Sequence, residues 1–274
     1  MIVVVGASGQ LGFELRRQIT SDAVFLGRPE FDLDNLDQAT KSIELLKPSL
    51  LINATAYNQV DKAENETQKA RHINVEAPAR LAEVARKLSS RMIHVSTDYV
   101  FDGTSTTPYK ETDVTHPLGA YGQSKLNGEK AVLANHPQAL VVRTSWLYSS
   151  HGQNFVKTVI RLDQEKKNMR VVNDQIGSPT WAKDLAAALL KGRDLAGLFH
   201  YSNEGAVSRY DFACAVKKLK NLNLAIEPIA TSEYPTPAKR PHYSVLNTNK
   251  IKSALNISIP HWMESLEKCL NEQS

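Results

Sequence analysis

Short unbroken aliphatic runs alternate in the first half of the chain with segments whose apolar residues recur every three or four positions. IVVVG at 2–6 precedes a helical pattern from about Gly9, and LLINA at 50–54 precedes helices that run through about Leu88. MIHVS at 92–96 and ALVVRTS at 139–145 repeat the pattern, with another helix between them. Strands without a polar face must be covered on both sides. The order strand, helix, strand therefore predicts an α/β fold built on a doubly wound parallel sheet of the Rossmann kind. After Ser145 the texture changes: RVVN at 170–173, a helix from near Trp181, LFHY at 198–201, a helix capped by Ser208, the Pro-rich EYPTPAKRP and a last helix from Pro260. The pattern predicts a large domain over 1–147 and a smaller C-terminal lobe over 148–274, some of whose segments return to the first domain.

Composition narrows the class. With 42% hydrophobic and 23% charged positions in 274 residues, the chain can bury a sizeable core. The net charge of +4 is dispersed without a basic block, which argues against nucleic acid and against a membrane surface as partners. Cys214 and Cys269 stand far from any second Cys or His at metal spacing and read as buried thiols. MIVVVGASGQ is too short an apolar run for a secretory signal, and no stretch is long enough to span a membrane, so a cytoplasmic protein is expected.

The first strand leads directly into GASGQLG, which sets Gly6, Gly9 and Gly12 three apart ahead of the helical FELRRQI. Glycines so placed allow a tight turn, close backbone approach to a pyrophosphate and close packing of helix on strand. The anion then rests on the N–H groups at the helix start. Residues 1–147 thus read as a dinucleotide-binding domain, and the second lobe as mostly substrate-binding. The next strand is expected to end near residue 26, where an acid for the ribose of NAD is missing and Gly27 and Arg28 follow. A planar guanidinium suits a 2′-phosphate, so Arg28 favours NADPH, with NADH and a solvated Arg28 as the open alternatives. Asp32 and Leu33 sit where an adenine would lie across the next short strand.

HVSTDYVFDG at 94–103 brings Ser96 and Thr97 to the carboxyl end of a strand, where ligands bind in open α/β sheets. YGQSK then sets Tyr121 four residues ahead of Lys125, on one helix face. Beside a nicotinamide, the phenol would be a proton donor whose pKa the ammonium lowers. A unit charge about 4 Å away is worth roughly 4 kcal/mol at an effective dielectric near 20, which would bring a phenol from about 10 towards neutrality. Thr97 would donate a hydrogen bond to the same substrate oxygen.

In this order GASGQLG, STDYVFDG and YGQSK resemble an extended short-chain dehydrogenase/reductase. NATAYNQVDKAE, HINVEAPARLA, VVRTSWLY, VNDQIGSPTWAKDLA and KRPHYSVLNTNKI narrow the resemblance to the dTDP-4-dehydrorhamnose reductase family, nearly end to end. The resemblance implies reduction of the 4-keto group of dTDP-6-deoxy-L-lyxo-4-hexulose by NAD(P)H to dTDP-L-rhamnose. It implies Tyr121, Lys125 and Thr97 as the catalytic trio. Gly9, Gln10 and Leu11 would meet the pyrophosphate, Asp32 and Leu33 the adenosine end, and Ala56, Tyr57 and Asn58 the nicotinamide ribose. Val60, Thr97, Asp98, Tyr99, Phe101 and Trp146 would line the sugar-nucleotide pocket. Arg240, from its charge, is a candidate for the diphosphate, with a structural salt bridge as the alternative. Members of the family can form dimers through Mg²⁺ held by acidic residues, so a homodimer and Mg²⁺ enter as implied by the resemblance, with no ligand set assigned.

The chain also departs from the family pattern. Tyr57 replaces a frequent histidine, Asn58 and Gln59 replace smaller residues, and Arg209 in SRYDFA stands where an aromatic is frequent. A dehydratase on this scaffold needs a glutamate at the position of Tyr99 to remove a proton from C5, which favours a simple reductase. Another sugar-nucleotide reductase or epimerase stays open. So does a non-catalytic nucleotide-binding subunit like the β subunit of eukaryotic methionine adenosyltransferase, against which the intact trio argues.

Overall fold

The computed structural model describes residues 1–28 and 31–272, so the last two positions of the lobe expected over 148–274 lie outside it. Its centre is a six-stranded sheet of β1 (Ile2–Val5), β2 (Ala23–Leu26), β3 (Leu50–Asn53), β4 (Arg91–Thr97), β5 (Leu140–Thr144) and β6 (Gly197–His200). Spatial order is β6-β5-β4-β3-β1-β2, and every neighbouring pair is parallel. β6 is the expected LFHY segment, and it pairs with β5, returning a late stretch of chain to the sheet. No strand forms around Asp32 and Leu33, where the sequence suggested one. A turn held by the Asp34 N–H donating to Asp32 Oδ1 at 3.0 Å takes its place.

Successive side chains of a strand point to opposite faces, and the two faces are covered by different helices. Val3, Val5, Leu51, Met92 and Val141 pack under α2 (Leu36–Leu46), α3 (Ala77–Lys87) and α4 (Ala120–Asn135). Val4, Ile52, Ile93 and Val142 pack against Leu11 and Leu15 of α1 (Gln10–Gln18) and against Leu185 and Leu189 of the later helix Ala182–Lys191. A separate apolar core around Tyr148, Phe212, Trp262 and Leu266 joins the helices Phe155–Gln164, Arg209–Leu219 and Trp262–Asn271 beyond the sheet. Cys269 is part of that core, and burial pushes its thiol up to about 12, so it is inert packing; Cys214 is half-buried.

The chain reverses direction about β1, which pairs with β2 on one side and β3 on the other. Beyond the carboxyl ends of the strands at such a switch point lies the crevice where open α/β sheets bind ligands.

Candidate active site

Two adjoining cavities of about 350 and 460 Å³ run along the carboxyl edge of the sheet and share Gly9, Ala54, Thr55, Ala56 and Asn58. The larger reaches Gly6, Arg28, Asp32, Leu33 and Tyr57; the smaller reaches Gln10, Leu11, Thr97, Tyr121, Lys125 and Trp146. Most residues singled out from the sequence therefore meet along one continuous cleft.

The phosphate loop is shaped by contact with its own backbone. Gly6 has φ +88°, and a Cβ there would stand 2.8 Å from the Ala54 carbonyl. Gly12 faces Gly6 O and Ala7 with no room for a side chain; it lines neither cavity and serves the packing of helix on loop. Gly9, in contrast, opens onto both cavities and N-caps α1 without a side-chain cap, so the first helical N–H groups are left for an anion. This cradle fits a dinucleotide pyrophosphate. From the second lobe, Asn154 donates to Gln10 Oε1 at 3.0 Å, holding that lobe against the loop.

α4 presents Tyr121 and Lys125 to the cleft, and it does so by lying very close to its neighbours. Cβ atoms at Gly122 and Gly128 would collide with the carbonyls of Tyr99 and Asn74. Asn74 sits in a π-helical turn, His72–Glu76, a local irregularity of a kind frequent at functional sites. Its amide accepts from Tyr57 N at 2.8 Å and donates to Ser124 Oγ at 2.9 Å, tying the wall of the larger cavity to α4. Thr97 ends β4 and shares the cavity wall with Tyr121; its hydroxyl donates to Asp98 Oδ1 at 3.1 Å and accepts from Tyr99 N at 3.2 Å. Lys125 is buried, and its Nζ donates to the Val95 carbonyl at 2.7 Å.

The electrostatics correct the expectation that the ammonium acidifies the phenol. Burial pushes Tyr121 above its ordinary value, relieved by the nearby Thr97 hydroxyl and reinforced by the charge of Asp98. Burial likewise draws Lys125 down to about 8, against the pull of Glu129. The lysine is directed to a backbone carbonyl, and burial rather than its charge sets the neighbouring phenol. Behind it, Glu129 pairs with Arg143 at 2.7 Å and accepts from Ser96 Oγ, forming a buried polar layer beneath the cleft.

On the far side of Thr97, Asp98 is buried, and desolvation raises its carboxyl to about 6. The Tyr99 ring meets that of Tyr121 edge-on at 5.6 Å, and Val60 closes the same wall. Trp146 holds φ +45°, an unusual conformation for an aromatic residue that costs on the order of 1–3 kcal/mol and concentrates at functional sites. The Arg209 guanidinium lies over the Trp146 ring, 3.7 Å from its centroid.

Two expected residues stand apart. Phe101 is 1% exposed, stacked on Tyr109 at 4.1 Å, and lines neither cavity: the 3₁₀ turn Asp98–Val100 rotates it into the core. Arg240 pairs with Asp61 at 2.7 Å and donates to Ala238 O at 3.0 Å, the salt-bridge alternative. Sequence reasoning left out Asn74, Ser124, Thr55 and the cleft position of Arg209. For Asn74 the available signal was a polar residue within an otherwise helical apolar pattern. Among the described residues no group of three or more His, Cys, Asp or Glu side chains could hold a metal ion, and no helix is long and apolar enough to cross a membrane.

A family profile described as the RmlD substrate binding domain matches residues 1–274. The chain is 40% identical to a dTDP-4-dehydrorhamnose reductase of Aggregatibacter actinomycetemcomitans, over 97% of each protein. A dTDP-4-dehydrorhamnose reductase of Clostridium acetobutylicum superposes with a TM-score of 0.94 at 37% identity, covering 99% of this chain and 98% of that one. The enzyme of that name from Bacillus anthracis, solved in complex with NADP, gives 0.95 at 35% identity with the same coverage.

Proposed function

The chain belongs to the dTDP-4-dehydrorhamnose reductase family, and from that premise we propose that it reduces the 4-keto group of dTDP-6-deoxy-L-lyxo-4-hexulose with NADPH, giving dTDP-L-rhamnose. The observation that carries this reading is the meeting of Thr97, Tyr121 and Lys125 on one cavity wall that continues into the phosphate loop. Residues 1–147 hold the dinucleotide and most of 148–274 the sugar nucleotide.

Gly9, Gln10 and Leu11 receive the pyrophosphate at the α1 N-terminus, while Asp32, Leu33 and Arg28 face the adenosine end and Ala56, Tyr57 and Asn58 the region beside the nicotinamide ribose. Bound NADPH supplies the hydride. Tyr121 donates a proton to the carbonyl oxygen as that oxygen becomes an alkoxide, and Thr97 steadies the same oxygen by a hydrogen bond. Burial keeps the phenol protonated until a stronger base forms, which suits a proton donor in a reduction. Lys125, still mostly charged at pH 7, lies one turn away to balance the phenolate left behind. Mg²⁺ has no fitting ligand set among the described residues, and no step passes through it. A homodimer and a cytoplasmic setting belong to the reading through the family resemblance and the sequence.

The test is NADPH oxidation followed by absorbance, with the dTDP-4-keto-6-deoxy sugar and a 3,5-epimerase present and the product identified by NMR. Formation of dTDP-L-rhamnose supports the assignment. Absence of turnover by protein that binds NADPH would favour the non-catalytic reading, and a product of the opposite C4 configuration would favour another sugar-nucleotide reductase.

A further inference from the structure

Arg209 is the side chain of the substrate cleft that the mechanism leaves without a task. It opens the helix Arg209–Leu219, whose N-cap Ser208 accepts from Asp211 N at 2.9 Å and so fixes the first turn at the cavity wall. The guanidinium is stacked on Trp146 at 3.7 Å, lies 5.7 Å from the Phe155 centroid and lines the same cavity as Tyr99. Stacking holds a guanidinium by its face and leaves its N–H edges for a planar, bidentate partner.

No carboxylate lies within ion-pair distance of Arg209 among the described residues, although Asp98 influences it from further away. Arg240 differs, because Asp61 neutralises it at 2.7 Å. The two arginines nonetheless repel each other, and both act on Tyr99. The cleft thus carries a half-buried cation that no carboxylate contacts directly, which suits it to an anionic group of a ligand. The sugar nucleotide offers one anionic part, its diphosphate. Arg209, Trp146, Tyr99, Tyr121 and Thr97 line one cavity, so a phosphate on Arg209 leaves the attached sugar within the cavity that holds Tyr121 and Thr97.

We propose that Arg209, seated on Trp146, binds the diphosphate of the nucleotide sugar and sets the depth at which the sugar meets Tyr121. This rests on the reading of the substrate as a dTDP-sugar and adds the side chain that meets its charge.

Calorimetric titration of NADP⁺-saturated protein with dTDP and, separately, with thymidine tests it. Arg209→Gln is expected to weaken dTDP about 10- to 100-fold while leaving thymidine and NADP⁺ affinities as in wild type. Arg209→Lys keeps the charge without the planar fork and is expected to recover part of the loss. Arg240→Gln should leave the preference for dTDP over thymidine in place. Equal dTDP affinity in wild type and Arg209→Gln would overturn the inference, as would a loss shared equally by dTDP and thymidine. Wild type that binds dTDP no better than thymidine would overturn the sugar-nucleotide reading itself.

Discussion

Replacing Glu129 by Gln separates the electrostatic from the packing role of the layer beneath the cleft. Glu129 and Arg143 pair at 2.7 Å with side chains only 4% and 3% exposed, so the variant leaves a buried guanidinium uncompensated. Breaking such a pair costs about 3–5 kcal/mol, a fall in Tm of roughly 10 °C for a protein of this size. The same carboxylate raises Lys125, which stands at about 8 with Glu129 in place. On a helix, side chains four apart are ~6 Å from each other, and at an effective dielectric of ~20 their interaction is about 3 kcal/mol, or about 2 pKa units. The assay is the pH dependence of kcat/KM for NADPH oxidation, which reports groups of the free enzyme. Wild type should lose activity as pH rises through about 8, where Lys125 gives up its proton, and Glu129→Gln should lose it about 2 units lower. A lowered Tm with an unmoved alkaline limb would refute the electrostatic link, and an unmoved Tm would refute the buried pair.

Arg28 lines the larger cavity from an exposed position, so Arg28→Ala should raise KM for NADPH about tenfold and leave KM for NADH unchanged. Equal effects on both cofactors would return Arg28 to solvent. Asp98 has its folded-state pKa raised from 3.8 to about 6, so its favourable contribution is complete below about pH 4 and is lost as pH rises through 6. Asp98→Asn should therefore gain stability relative to wild type between pH 4 and pH 8, by up to about 3 kcal/mol in denaturant unfolding. A pH-independent difference would contradict this. A Cβ at Gly177 would lie 2.5 Å from Cε2 of Trp146, so Gly177→Ala should displace the Trp146–Arg209 stack. It should raise KM for the sugar nucleotide several-fold with KM for NADPH unchanged; an unaltered sugar-nucleotide KM would show that the stack does not shape the pocket.

The sheet was legible because strands such as Ile2–Val5 and Leu140–Thr144 are buried on both faces and so read as continuous apolar runs. The phosphate loop was legible because Gly6 and Gly12 occupy backbone positions where a side chain collides. Side-chain direction was harder to read. Alternation ends at the 3₁₀ turn after Thr97, and with it any inference that Phe101 faces the ligand. Asp32 and Leu33 turn where a strand was expected, since two residues give no period to read. Spacing placed Lys125 beside Tyr121 but carried no information on burial or on the Val95 carbonyl, which together set its charge. Arg240 was hard to read for the same reason: charge is visible in a sequence, and the carboxylate that pairs with it across 179 positions is not.

Single-turnover hydride transfer in Tyr121→Phe addresses the central claim, that the Tyr121 phenol protonates the 4-keto oxygen. The ring and its edge-on contact with Tyr99 are retained while the proton is removed, so NADPH and dTDP should bind as in wild type. The rate of NADPH oxidation at saturating substrate should fall about 10²- to 10⁴-fold, the share typical of a positioned general acid. A rate within a few-fold of wild type would contradict the assignment of Tyr121 as the proton donor.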